Sequence, residues 1–389
     1  MTQTSESSIP VAPTTDRLQS IDALRGFVMV LMLVDHIRET FYLHRQVGDP
    51  MDALATSPEL FYTRLTSAIC APVFIWLTGL SAWLYSQKHS PSETSRFLLK
   101  RGAFLVLLEL TLIVFLWAGK YPPDMFFLQV IWCIGLCMIA LAGLIYMPSS
   151  ILIVIGLTIV IGHNNLDGFR LGEDSPFSVL WAILYQREVL DFDFIVLRTS
   201  YPVLPWIGVI ILGFVAGPWF LSATFPEGRQ KKLFIMGTIG LVLFCVVRFL
   251  NFYGDSAWEN TDAFSTTLMS FLSLTKYPPS FLFNLSTLSL GLLFLAGFER
   301  YQGNRFTQIM SQFGAAPMFF YAFHLAVLKF LYVIALAIYG PSDGIYLAFP
   351  SVGYIWGAFL ILVCLLYFPT RWFGNYKQAN KHISWLKYF

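Results

Sequence analysis

Ile21-Asp22-Ala23-Leu24-Arg25-Gly26-Phe27 runs through an apolar stretch, Val28 to Val34, into Asp35-His36-Ile37-Arg38-Glu39. Six ionisable side chains, Asp22, Arg25, Asp35, His36, Arg38 and Glu39, thus fall within one helix-length segment that is otherwise apolar. The rest of the chain makes that segment a membrane helix. The 389 residues are 56% hydrophobic and 12% charged, with a mean hydropathy of +0.64. Apolar runs of about 17–25 residues, long enough to cross a hydrocarbon core, recur along nearly the whole length. A charged side chain near a bilayer centre costs about 2.5–3.5 kcal/mol on insertion scales, so by default it marks a pathway or a reactive site. The segment reads as the core of an active site.

Full-length spans are predicted at 20–43, 65–86, 97–118, 125–146, 203–221, 233–250, 280–298, 313–339 and 352–368, with a shorter apolar run at 151–162. Counting the short run gives ten crossings. The patch 177–185 is too short to cross and reads as an interfacial or re-entrant piece. Lys and Arg cluster at Arg17, at Lys88, Arg96, Lys100 and Arg101, at Arg229, Lys231 and Lys232, at Arg300 and Arg305, and from Arg371 to Lys387. Ten crossings put all these on one side, which the positive-inside rule makes cytoplasmic. The expected fold class is therefore all-α integral membrane protein, a polytopic bundle of about 10 transmembrane helices (10–11), both termini cytoplasmic. Residues 1–16, rich in Ser, Thr and Pro, read as a disordered cytoplasmic tail without a secretory signal, 17–373 as a single transmembrane domain, and 374–389 as a cytoplasmic C-terminal tail.

His36 lies eleven residues beyond Arg25, and His324 eleven beyond Phe313, where a second outward-going span begins. At 1.5 Å per residue both stand about 16 Å into a layer of about 30 Å, near the midplane. At 100° per residue Asp22, Arg25, Met29, Met32, His36 and Glu39 share an arc of about 100°, a polar track leading inward from the cytoplasmic surface. Asp35 and Arg38 point elsewhere at i, i+3, a spacing that suits an ion pair.

Plainer readings stand beside these. A membrane histidine also serves as an interhelical hydrogen-bond donor, and Tyr321 and Pro317 fit a kinked packing helix. Glu109 is either a proton relay or a partner for another helix. Lys-Tyr-Pro-Pro at 120–123 and 276–279 suits helix starts and interface anchors. Arg248 and Lys329 can snorkel or pair, and His89, His163 and His382 are expected to be solvated. The five cysteines show neither zinc spacing nor a disulfide framework, and Cys133 and Cys137 read as packing residues. No phosphate-binding loop, metal cluster or nucleic-acid patch is apparent.

Asp22-Ala23-Leu24-Arg25-Gly26 with a polar residue eleven positions after the arginine resembles the first helix of the heparan-alpha-glucosaminide N-acetyltransferase family and its bacterial relatives. Tyr201-Pro202-Val203-Leu204-Pro205-Trp206-Ile207-Gly208 resembles that family's Pro-Trp helix start, Thr275-Lys276-Tyr277-Pro278-Pro279-Ser280 a segment of its bacterial members, and Ala315 to His324 its late helix ending in Tyr-x-x-His. The tail from Pro369 to Tyr388 is similar as well. The first helix is also similar to that of the wider membrane acyltransferases that decorate envelope sugars. One departure matters: the lysosomal members carry Asn where His36 stands and a catalytic histidine farther on, for which His44 is the nearest candidate.

The resemblance implies an acetyl-CoA-dependent N-acetyltransferase that moves an acetyl (acyl) group from cytoplasmic acyl-CoA to an amino sugar or envelope glycan on the far side. Acetyl-CoA is then a co-substrate and no metal is needed. A bacterial inner membrane is the expected location, and membrane lipids and a homodimer are the other partners considered. An imidazole can take a proton from the acceptor or take the acyl group itself. The catalytic candidates are His36, His324 and His44, with Asp35 or Glu39 orienting the imidazole. Arg25 and Asp22, with Lys100 and Arg101, are the donor-binding candidates, and Arg38, Lys276 and Tyr277 those on the acceptor side. The rival function is a proton-coupled secondary transporter, which midplane ionisable groups would also suit. A non-catalytic scaffold leaves the buried His and Arg without a purpose.

Overall fold

A computed structural model describes residues 18–42, 51–172, 174–221 and 226–388. In chain order its helices are α1 (Gln19–Phe41), α2 (Pro58–Thr66), α3 (Cys70–Ser86), α4 (Pro91–Leu108), α5 (Val114–Ala118), α6 (Val130–Leu144), α7 (Ser149–Gly162), α8 (Ser178–Leu184), α9 (Leu204–Val215), α10 (Pro226–Leu250), α11 (Phe264–Leu272), α12 (Phe281–Arg300), α13 (Arg305–Phe313), α14 (Pro317–Tyr339) and α15 (Val352–Ala379). Local chemistry marks their starts. Ser57 and Ser280 cap α2 and α12, Asn304 caps α13, and Ser90 and Glu93 form a reciprocal capping box before Pro91 of α4.

Seven helical segments among the described residues are long and apolar enough to cross a membrane: Pro58–Ser86, Pro91–Ala118, Ser149–Leu166, Glu227–Leu250, Phe281–Arg300, Pro317–Tyr339 and Val352–Ala379. The short run at 151–162 is therefore long enough once its flanks are included. Helices α6 and α9 are apolar but shorter. The patch at 177–185 forms the seven-residue α8, clamped by Tyr185, whose hydroxyl lies 2.6 Å from His163 O and 2.5 Å from Asp167 Oδ1. His163 is 3% exposed, buried under that clamp rather than solvated.

Helix α1 is as long as the spans but occupies the middle of the bundle, against α3, α12, α13, α14 and α15. Its charges thus face protein instead of lipid, the arrangement that makes them tolerable in a membrane. By contrast, only 22% of the most apolar window of α7, α10 and α15 is buried, which leaves these helices to face lipid. Gly26 explains how α13 comes so close. A Cβ there would stand 1.8 Å from Met310 O, and one on Gly314 would stand 1.9 Å from Asp22 O, so backbone rests on backbone.

Several boundaries differ from those expected: the spans expected at 125–146 and 203–221 narrow to α6 and α9, and α15 runs past 368 to Ala379, into the expected C-terminal tail. The span expected at 313–339 is broken at 314–316, with α13 ending at Phe313 and Pro317 occupying the first turn of α14 rather than kinking it. Pro369, expected to end a span, lies inside α15, where the Thr370 hydroxyl donates to Leu366 O at 2.7 Å.

The connections gather at two ends. At one, Glu299 accepts from Ser20 at 2.5 Å and pairs with Arg229 at 2.6 Å, joining α1, α10 and α12. At the other, Phe349 N donates to Phe41 O and Ser273 to Met51 O, both at 2.7 Å. A small sheet lies there too: β1 (Phe126–Phe127) runs parallel to β3 (Val196–Arg198), which pairs antiparallel with β2 (Val189–Asp191). Arg248 binds this end together, donating to the carbonyls of Ser256, Ser270, Phe271 and Ser273.

Candidate active site

Crossing of α1 and α14 brings the two matched histidines into contact. His36 Nδ1 lies 2.6 Å from His324 Nε2, with the rings stacked at 15°. His324 Nδ1 lies 2.7 Å from Phe320 O. A carbonyl oxygen only accepts, so this contact puts a proton on His324 Nδ1 and leaves Nε2 of the neutral ring as an acceptor. His36 Nδ1 must then be the donor, and the lone pair of His36 resides on Nε2. Among the described residues Nε2 meets no hydrogen-bond partner. His324 is fully buried and His36 is 8% exposed.

Toward the C-terminal end of α1 lies a charged cluster. Asp35 accepts from Arg38 Nε at 2.9 Å and Nη2 at 2.7 Å through one oxygen, and from Arg64 Nη1 at 2.9 Å through the other. Arg38 also reaches Glu39 at 3.2 Å, and Arg64 reaches Ser67 Oγ at 2.8 Å. Two carboxylates and two guanidiniums balance, the condition under which such groups can be buried. The expected Asp35–Arg38 pair is present, but neither Asp35 nor Glu39 hydrogen-bonds the imidazole: the arginines occupy both, and His324 does the orienting. Tyr277 borders the cluster, its hydroxyl 3.2 Å from that of Tyr201, with Arg187 5.1 Å and Lys276 5.3 Å from its ring centroid. Burial pushes the Tyr277 hydroxyl up, but Lys276 and Arg64 outweigh burial and hold it below the ordinary phenol value.

Toward the N-terminal end of α1 opens a cavity of about 330 Å³. Partly exposed Arg25, Arg101 and Lys377 stand at its rim, Phe74, Leu77 and Ile134 form apolar walls, and buried Met32 and Tyr321 close it. The Tyr321 ring is 5.7 Å from that of His36, so the blind end abuts the histidine pair. Arg25 is held by Asp22 at 2.8 Å, Ser81 at 3.3 Å and Gly314 O at 3.4 Å. Lys100 is exposed and lies outside the lining; one residue from Arg101, it points about 100° away around the helix.

His36 and His324 thus come together, as do Asp35, Arg38 and Glu39, and Arg25, held from behind by Asp22, joins Arg101 at the cavity. His44 lies outside the described residues. Sequence reading missed Arg64, which looks like an interface anchor before an apolar run, and Lys377, which sits in the expected C-terminal tail. Tyr201 and Trp117 were also missed as site residues. Tyr201 opens the segment that carries the family's Pro-Trp resemblance, and Trp117 lies inside the predicted span 97–118, where an aromatic singles out no role because interfacial belts supply them everywhere.

A polytopic helical protein with a buried histidine pair between a cation-lined cavity and a charged cluster belongs to the class of membrane proteins that keep ionisable groups inside the bundle. The catalytic-domain model of heparan-alpha-glucosaminide N-acetyltransferase matches residues 17–249, and the chain belongs to that family. The match covers α1 through nearly all of α10, including the cavity's Arg25 and Arg101, His36, and the cluster of Asp35, Arg38 and Arg64. No curated protein matches the chain in sequence.

Proposed function

We propose that this membrane acetyltransferase takes its acetyl group from acetyl-CoA on the cytoplasmic side and delivers it to an amino sugar or envelope glycan on the other side, with His36 as the reacting histidine. One observation carries the reading: an apolar-walled cavity lined by three cations reaches Tyr321, whose ring is 5.7 Å from that of His36, and His36 Nε2 keeps its lone pair with no hydrogen-bond partner among the described residues. Acyl-CoA has the complementary form, a slender arm leading to the thioester and an anionic phosphate-bearing head. Arg25, Arg101 and Lys377 meet the phosphates, and the thioester reaches Tyr321. The acceptor approaches from the Arg38, Lys276 and Tyr277 side.

In this reading His36 Nε2 removes the proton of the attacking amine, and His324 positions the ring and fixes its tautomer. Asp35, Glu39, Arg38 and Arg64 form the floor of the acceptor path. The chain is then read with ten crossings, α1, α6 and α9 joining the seven long apolar segments, and with both termini cytoplasmic. These crossings make 17–373 one transmembrane domain, and the inner membrane of a bacterium is the setting that suits a chain whose first helix is similar to that of envelope-sugar acyltransferases.

Incubation of the detergent-purified protein with radiolabelled acetyl-CoA and glucosamine tests the reading. Labelled N-acetylglucosamine and free CoA thiol are expected in stoichiometric amounts. Donor that neither binds nor turns over with folded protein would sink it and favour transport.

A further inference from the structure

Acyl transfer places a transient negative charge on the acyl oxygen, and a buried donor without an acceptor, the Tyr321 hydroxyl, stands beside His36. The Tyr321 hydroxyl and the Trp117 indole N–H are both buried without a hydrogen-bond partner among the described residues. Tyr321 is 4% exposed and lines the blind end of the cavity. Its ring stands at 76° to that of His36, with centroids 5.7 Å apart, and the Trp117 ring stands at 81° and 5.1 Å. The indole N–H is directed at the Tyr321 hydroxyl oxygen, which leaves the phenol O–H itself free to donate. An unpaired buried donor costs about 1–3 kcal/mol, so the Tyr321 O–H at a cavity wall needs a reason.

The backbone around Trp117 is unusual as well. Between α4 and α5 the rod makes a π turn, Glu109–Ile113, which inserts one extra residue and rotates everything after it by about 100°. Such turns concentrate at functional sites. Lys329 Nζ then holds the end of the rod by donating to Trp117 O at 3.2 Å.

We propose that Tyr321 Oη, steadied by the Trp117 indole N–H, donates a hydrogen bond to the acyl oxygen of the donor thioester as it becomes an oxyanion. The proposal rests on the acyl-transfer reading and adds to it one catalytic residue, Tyr321, and one positioning residue, Trp117. In the addition step the acceptor nitrogen's lone pair forms the N–C bond, the carbonyl π pair moves to oxygen, and the nitrogen's proton passes to His36 Nε2. In the elimination step the oxygen pair re-forms C=O, the C–S bond breaks with its electrons on sulfur, and His36 returns the proton to the thiolate. Neutral amine and thioester enter; amide and thiol leave. Donors already aimed at the oxyanion lower the barrier strongly because nothing has to reorganise when the charge develops.

The competing explanation gives Tyr321 a structural role. Glu109 is fully buried, accepts the Trp132 N–H at 3.3 Å through Oε2 and leaves Oε1 unpaired. An ordered water bridging Glu109 and Tyr321 would satisfy both without any part in the reaction.

Steady-state acetyl transfer by wild type, Tyr321→Phe, Trp117→Phe and Glu109→Gln, each with a thermal melt, decides between them. The expected result is a loss in kcat of about 10²-fold for Tyr321→Phe, with donor KM and melting temperature unchanged. The loss shrinks with chloroacetyl-CoA, whose electron-withdrawing chlorine relieves the demand for stabilisation. Retention of kcat by Tyr321→Phe, or a loss that follows only a lowered melting temperature and is matched by Glu109→Gln, would overturn the proposal. Failure of the wild type itself to transfer would overturn the acyl-transfer reading, and this proposal with it.

Discussion

Replacing His324 by Ala separates the histidine that reacts from the one that positions it. His36 Nδ1 donates to His324 Nε2 across 2.6 Å in a fully buried setting, and His324 is anchored in turn on Phe320 O. Without His324 the His36 N–H has no partner, a penalty of about 1–3 kcal/mol for a buried donor. The ring can relieve that penalty by turning or by moving its proton to Nε2, and both remove the lone pair from the reaction. At 1.4 kcal/mol per tenfold, the competent fraction falls about 5- to 150-fold. His36→Ala removes the base itself, for which a loss of about 10²–10⁴-fold is usual. Acetyl transfer measured as kcat and donor KM, with melts to exclude unfolding, should therefore rank His36→Ala below His324→Ala. Donor KM should be unchanged in both. His324→Gln, whose side-chain oxygen can accept from Nδ1, should recover part of the loss. The double variant should be no worse than His36→Ala alone, because one residue acts through the other. Activity that survives in His36→Ala but vanishes in His324→Ala would refute this assignment.

Other consequences concern stability and donor binding. Asp35→Ala removes the carboxylate shared by Arg38 and Arg64, 3% and 8% exposed, leaves the cluster with one excess buried positive charge, and should destabilise the protein by about 3–5 kcal/mol in denaturant or thermal titrations. Removing the exposed Lys120–Asp124 pair by Lys120→Ala should change it by less than about 1 kcal/mol. Gly26→Ala forces a methyl against Met310 O and should cost at least about 1–3 kcal/mol, read as an earlier melt. Arg101→Gln should weaken calorimetric CoA binding by about 10- to 100-fold through loss of a charge-assisted contact, whereas Lys100→Gln should leave it unchanged.

The first helix was legible because charge in an apolar helix has few explanations. Arg25 and His36 could be placed by counting, and the shared depth of His36 and His324 followed from rise per residue alone. That count worked for His324 even though its helix starts at Pro317 rather than Phe313: Gly314-Ala315-Ala316 continues the hydropathy and hides the break. What a single wheel cannot supply is the neighbour. It assigned Glu39 to orient the imidazole because the two share a face, while the actual partner comes from another helix and Arg38 holds Glu39. Lys100 and Arg101 are indistinguishable in composition yet differ by one step of rotation. Trp117 gave no signal, since its direction depends on a π turn that no periodicity announces.

Sidedness tests the central claim most directly. The purified protein is reconstituted into proteoliposomes with radiolabelled acetyl-CoA sealed inside and glucosamine outside, and labelled N-acetylglucosamine is measured in the external medium against liposomes holding His36→Ala. Label on the external sugar, with CoA thiol retained inside and none with His36→Ala, is the predicted result. Transfer only when donor and acceptor share one compartment, or equal transfer by His36→Ala, would contradict it.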